Sequence, residues 1–213
     1  LSLKSRALIP LSWYAARRAA GVIEKSAEMR QTIASIPDVA VIPNGVDLDL
    51  FAPMARAAAR DALGWRQEGA VLLFAANPDE PRKNFKLARE VEALLRARGL
   101  DVRLEHVYGR PQAVMVQAMN AADVLLLPSF HEGSPNVVKE AMACDLPVVA
   151  APVGDCAERL RDCRPSAVVA RTAEAFTEAT QQVLAAGTRS NGRTCVAPLA
   201  LLPVARQVIT VYE

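Results

Sequence analysis

The chain is poor in the residues that build metal and disulfide sites. It has two histidines, and its four cysteines, Cys144, Cys156, Cys163 and Cys195, form no CxxC pair. A metal centre is therefore not expected, and free thiols in a reducing compartment are the better reading. No apolar stretch approaches the roughly 18 residues that cross a membrane. The start, LSLKSRALIPLSW, lacks the apolar core and small-residue cleavage site of a signal peptide. The formal net charge is only +2, so neither a nucleic-acid field nor a polybasic membrane patch is expected. No GxxxxGK[ST] run is present, which disfavours P-loop chemistry, and no GxSxG, which disfavours a hydrolase elbow. Repeats and low-complexity tracts are also missing.

What is present is a chain of 213 residues, 52% hydrophobic and only 5% aromatic. That length suits one large domain, or one domain plus a fragment, and buries roughly 70% of its unfolded surface without staples. The Ala/Val/Leu-rich composition fits an α/β protein. The chain opens on Leu rather than Met, and we expect it to be a piece of a longer protein.

The pattern predicts a short strand just before Ser26, and strands near 39–42, 70–77, 102–109, 123–129, 146–151 and 166–170. Apolar runs such as AVLLFAAN have the look of strands buried on both faces. Between them lie helical patterns: one after Ser26, a plausible N-cap, and one ending at Gly64, a plausible C-cap. The helix over 84–99 would bury Phe85, Ala88, Val91, Leu94 and Leu95. Further helices are expected near 112–122, from 135, at 156–161, at 173–186 and at 198–212. Strands alternating with helices imply βαβ units and one doubly wound parallel sheet, a Rossmann-like fold. The organisation splits near residue 40. Residues 1–38, a strand plus helices, read as the tail of a preceding unit, and 39–213 as one domain.

The stretch SFHEGSPNVVKE (129–140) carries most of the chemistry. In open α/β sheets, ligands bind at the carboxyl ends of strands, and this loop leaves such an end. Gly133 permits a backbone that a side chain would resist, and Pro135 fits a first helical turn. The N–H groups of Asn136 and Val137 would then point outward from a positive helix end, an anion site that suits phosphate. Glu140 lies one turn after Asn136 on the same face, opposite Val137, Val138, Ala141 and Met142. A carboxylate accepts two hydrogen bonds at once, as the two adjacent hydroxyls of a ribose require. Glu132 would sit near whatever hangs off the second phosphate. Taken singly, each Glu is as readily ordinary surface; the combination is what carries weight. A second loop, ANPDEPRKN (76–84), places Arg82 and Lys83 at a helix start, the wrong end for cations unless something negative lies nearby. Alone, that loop also reads as ordinary solvated surface.

Around these motifs the chain resembles the retaining family 4 glycosyltransferases, which have two Rossmann-like domains (the GT-B architecture). The resemblance runs from about Gly21 to the end. VIPNGVDLDLFAP resembles the segment joining the two domains, PRKN the basic donor loop, and VARQVITVYE the closing helix that packs back on the first domain. MNAADVLLLPSFHEGSPNVVKEAMACDLPVVAAPVGD resembles the signature, with Glu132 and Glu140 at its E-x7-E spacing.

The resemblance implies the C-terminal, donor-binding half of a hexosyltransferase-like enzyme that transfers sugar from a UDP-, GDP- or ADP-sugar. No bound cofactor and no metal are implied. Lys83 and Arg82 would steady the leaving diphosphate, Glu132 would lie near the donor sugar, and Glu140 would hold the ribose. The amides of Ser134, Pro135's neighbours Asn136 and Val137, and the Gly133 turn would contact phosphate and sugar. Val107 and Tyr108 would border the base.

Asn77 stands where many members have Arg, so either one phosphate cation would be absent or Asn77 would serve as a neutral donor. The acceptor, glycan or lipid-linked, is not specified, and the first domain would have to be supplied in cis or in trans. Alone, the chain would be inactive. A stand-alone nucleotide-sugar binding module is the alternative from a different class. A sugar-nucleotide epimerase is a third, against which the basic loop and the surroundings of E-x7-E argue. The expected location is cytoplasmic, with peripheral attachment to a membrane's inner face as a further option, and dimerisation through exposed faces is left open.

Smaller features have plain readings first: Asn44-Gly45 a tight turn before a cleft-lining loop, and residues 109–112 a loop. Asp155 would be a helix cap before a donor contact, and Met115 and Met119 core residues. His131 would be a loop neighbour and His106 a strand residue.

Overall fold

A computed structural model describes residues 3–213, with side chains described from Leu8 onward. Residues 1–2 of the expected N-terminal remnant lie outside the described residues. The chain begins with α1 (Leu3–Arg18), β1 (Val22–Glu24), α2 (Ala27–Thr32) and β2 (Val39–Val41). The Ser26 side chain caps α2, accepting from the Met29 N–H at 3.2 Å, as its residue type predicts. Strands β1 and β2 pair in parallel with each other and with nothing else. The two-stranded sheet therefore straddles the boundary expected at 38/39.

The larger unit runs α3 (Arg56–Leu63), β3 (Ala70–Phe74), α4 (Phe85–Ala97), β4 (Val102–His106), α5 (Gln112–Ala121) and β5 (Val124–Leu127). It continues through α6 (Asn136–Ala143), β6 (Val148–Ala150), α7 (Cys156–Arg159), β7 (Ala167–Val168), α8 (Ala173–Ala186), α9 (Gly192–Val196) and α10 (Leu201–Tyr212). Gly64 ends α3 at φ +66°, the left-handed cap that glycine supplies most readily. The five strands β3–β7 are all parallel, in the order β4-β3-β5-β6-β7. Every residue of β5 and β6 is buried, as strands covered on both faces must be. Each observed strand is shorter than its apolar run. The run continues into residues that leave the ladder, and those residues reach the sheet's carboxyl edge.

Helix α4 differs from its expected face. Leu87, Ala88, Val91 and Leu95 are buried, whereas Leu94 is 36% exposed. Leu87 and Leu94 both fit a 3.6-residue stripe drawn loosely. Packing on α8 rotates the buried stripe to the Leu87 side. Phe85 is only partly buried and stacks on Phe74 with ring centroids 4.9 Å apart. Met119 is core, and Met115 packs partly buried against it. All four cysteines carry free thiols; burial pushes those of Cys144 and Cys156 up to about 12. Among the described residues no helix is long and apolar enough to cross a membrane.

Two arginines lock the linker and the helix ends. Arg193 donates to the carbonyls of Leu48, Phe51 and Ala143, and Arg189 to those of Met119, Ala122 and Cys144. Cations at helix carboxyl ends satisfy orphan carbonyls and complement the dipole. Downstream, α10 returns to the N-terminal segment. Val46 pairs with Ala200, Leu201 lies against Gly45, and Val211 packs on Gly21.

Candidate functional site

The strand order reverses between β3 and β5, since β4 lies to one side and β6 and β7 to the other. Loops leaving two such strands part from each other and open a crevice at their carboxyl ends. A cavity of about 550 Å³ lies there, within the range of ligand sites. Its walls come from the loop after β3 (Ala75 and Lys83), the loop and helix after β5 (Glu132 to Val137, and Glu140), and the N-terminal segment (Lys25, Met29 and Asn44).

The helix tip is built as its residues dictate. Pro135 stands at the N-cap of α6 and offers no side-chain cap, and its carbonyl accepts from the Val138 N–H at 3.2 Å. Among the described residues no group accepts from the N–H of Asn136 or Val137. Both residues line the cavity, so two free amides and the helix dipole face it together. Glu140 lies one turn further along the same wall and is half-buried. No described donor reaches its carboxylate. Burial pushes this carboxyl up from the ordinary range, an effect the charge of Lys139 partly offsets.

Lys83 and Glu132 meet across the crevice, with Nζ donating to Oε1 at 2.7 Å. Arg82 and Lys83 form a 3₁₀ turn (Pro81–Lys83) just before α4. The negative partner that two cations at a helix start require is thus Glu132. The cavity wall does not include Arg82. Its guanidinium donates to Glu80, to the His131 carbonyl at 2.8 Å and to Glu132 Oε2 at 3.3 Å, which ties the two loops together. Asn84 and Arg171 add further ties, donating to the carbonyls of Pro128 and Ser129.

Asn77 lies outside the wall too. Its Oδ1 accepts from the Asp79 N–H at 3.0 Å and closes its own turn. Tyr108 is 59% exposed beyond the end of β4. His106 ends β4 edge-on to Phe85, and His131 is exposed in the loop between β5 and α6. Asn44 does line the cleft, its Nδ2 donating to Asn136 Oδ1 at 3.0 Å.

Two expectations fail here. Asp155 begins α7, but its side chain makes no cap bond. It accepts from Ser134 Oγ at 2.8 Å and pairs with Arg159 at 3.3 Å instead. Val137 was expected on the apolar face against the sheet, yet it lines the cavity wall while also touching the core's edge. The place on the buried side is filled by Lys139, 1% exposed, which sequence reasoning missed. Its signal was faint: a lysine between Val138 and Glu140, on a short helix whose Val138, Ala141 and Met142 are core residues. Lys25 and Met29 were missed as well, because they reach the site from a segment far off in sequence.

The loop after β5 is closely packed against the one after β6. Gly154 has φ +54°, and a Cβ there would lie 2.3 Å from the Gly133 carbonyl oxygen. Gly154→Ala should combine left-handed strain with that clash and cost about 3 kcal/mol. Urea unfolding of the two proteins measures it, and a change below about 0.5 kcal/mol would contradict the packing described.

Comparison with known proteins identifies the family and the fold. Residues 55–186 match the family model described as Glycosyl transferases group 1. D-inositol 3-phosphate glycosyltransferase from Geodermatophilus obscurus is 35% identical over 156 residues, covering 57% of this chain and 34% of the relative. The chain thus spans about a third of the length of that relative. Sucrose-phosphate synthase from Thermosynechococcus elongatus superposes with a TM-score of 0.81 at 24% identity, covering 99% of this chain and 63% of that one. Anabaena HepE, solved in complex with UDP and glucose, gives a TM-score of 0.76 at 17% identity, covering 98% and 67%. The fold is that of the C-terminal, Rossmann-like domain of GT-B glycosyltransferases, and the chain belongs to the glycosyl transferases group 1 family.

Proposed function

We propose that this chain is the donor-binding portion of a retaining glycosyltransferase that uses a nucleotide-sugar. The observation that carries the reading is the coincidence, in one cavity, of two free amides, a free carboxylate and a lysine. The amides of Asn136 and Val137 take the pyrophosphate. Glu140 accepts from the two ribose hydroxyls. Lys83 meets the diphosphate; with three donors, its ammonium can hold Glu132 and a phosphate oxygen together. Glu132, kept in place by Lys83 and Arg82, then faces the sugar. Arg82 acts by joining the loops, and Asn77 and Tyr108 belong to the outer rim, with Tyr108 toward the base. Residues 1–38 are the tail of a preceding unit, and the acceptor site lies in that unit. Binding here calls on protein groups alone.

Calorimetric titration of the chain with UDP, GDP and ADP tests the reading. The HepE complex supports UDP as the first candidate. One of the three should bind at about 0.1–1 mM, equivalent to about −4 to −5.5 kcal/mol, with no sugar transfer by the chain alone. Absence of heat with all three would overturn the reading.

A further inference from the structure

Lys139 is the one lysine of α6, and its side chain is turned away from solvent. Helical side chains lean toward the helix N-terminus, so its ammonium reaches back to the tip. There it donates to Ser134 Oγ at 2.9 Å and to the Asn44 carbonyl at 3.0 Å. Ser134 Oγ in turn donates a hydrogen bond to Asp155 Oδ2 at 2.8 Å, and Arg159 stands 3.3 Å from that oxygen. Asn44 is gripped at both ends, by Lys139 at its carbonyl and by Asn136 at its amide. Arg159 is only partly buried and also pairs with Glu158, so Asp155 and Glu158 together balance Arg159 and Lys139. What stands directly behind the α6 tip is the Lys139 ammonium itself, held by the Ser134 hydroxyl and the Asn44 carbonyl.

Burying an ammonium whose nearest carboxylate lies beyond a hydroxyl costs several kcal/mol, and an apolar side chain of similar size is often no worse for stability. Stability alone does not account for the residue. We propose that Lys139 is a positioning residue that locks the 43–46 linker and the Gly133–Pro135 turn in one register and so sets the affinity of the α6 tip for a pyrophosphate. This rests on the donor reading above and deepens it.

The groups facing the ammonium are Asp155, Arg159, Lys25 and Glu140, and burial lowers its pKa to about 8. Lys139 accordingly loses its charge as the pH rises through that value, while the phosphates of UDP, with a second pKa near 6, keep theirs. The test is an NMR titration of the chain with UDP and with uridine, for the wild type, Lys139→Met and Ser134→Ala. Melting curves report folding alongside.

Lys139→Met should weaken UDP about tenfold or more, with uridine changed less than about twofold, as a phosphate-directed charge requires. Ser134→Ala, a milder change, should weaken UDP selectively by about threefold or more, and it carries the test if Lys139→Met does not fold. Wild-type affinity for UDP, but not for uridine, should fall between about pH 7 and pH 8.5. Equal weakening of both ligands, or unchanged UDP affinity with a flat pH profile, overturns the proposal while leaving the donor site intact. Failure of the wild type to bind UDP, GDP or ADP removes the donor reading and this proposal together.

Discussion

Lys83→Ala should lower the rate at which the intact glycosyltransferase releases nucleoside diphosphate by on the order of a thousandfold. A cation about 4 Å from a phosphate, at an effective dielectric near 20, contributes roughly 4 kcal/mol. That charge is worth most when the departing diphosphate gains a full negative charge, so the loss falls on turnover more than on donor binding. Lys83 is suited to this because its ammonium already stands in the cavity wall, held 2.7 Å from Glu132. The substitution also leaves Glu132 with Arg82 alone, at 3.3 Å. Steady-state kinetics with wild type and variant measure the effect. A fall of less than about tenfold, or one confined to KM, would remove Lys83 from the leaving-group role.

The second large effect is expected at Glu140. Its carboxylate is half-buried, faces the cavity and has no described donor. In the bound state it would accept two charge-assisted hydrogen bonds from one ribose, each worth about 1.5–3 kcal/mol. Removing both acceptors should weaken the nucleoside diphosphate about a hundredfold or more, equivalent to about 2.7 kcal/mol. From the 0.1–1 mM range that is loss of detectable binding. The protein should stay folded, since the side chain takes part in no described hydrogen bond or ion pair.

These effects rest on residues legible in different degrees. The alternation of strands and helices was plain, because apolar periodicity and caps such as Ser26 and Gly64 are local signals. The facing of Glu132 and Glu140 toward one cavity was legible too, since both belong to one loop and the helix it enters. What lay between distant loops was not. The Lys83–Glu132 pair joins positions 49 apart, and the hold of Lys139 on Asn44 spans 95. Periodicity carries no information about such pairs.

Lys139 was hidden for a second reason. A charged residue on a short helix is normally solvated, and only the hydroxyl of Ser134 and the carbonyl of Asn44 let this one be buried. Asp155 was misread because a carboxylate at a helix start usually caps it; here Ser134 Oγ and Arg159 take it instead. Leu87 and Leu94 exchanged places because tertiary packing, rather than sequence, decides the rotation of α4. Asn77 follows the end of β3, where the family resemblance implies a phosphate ligand, yet its side chain closes its own turn.

The most direct test is a thermodynamic cycle that pairs the acid with the hydroxyls it is meant to hold. Affinities of UDP and 2′-deoxy-UDP are measured for the wild type and for a milder variant, Glu140→Gln, which keeps shape and removes the charge. The wild type should favour UDP over the deoxy ligand by about tenfold, a coupling of about 1.4 kcal/mol, and Glu140→Gln should lose most of that preference. Equal discrimination by both proteins would place the ribose elsewhere and contradict the site as described.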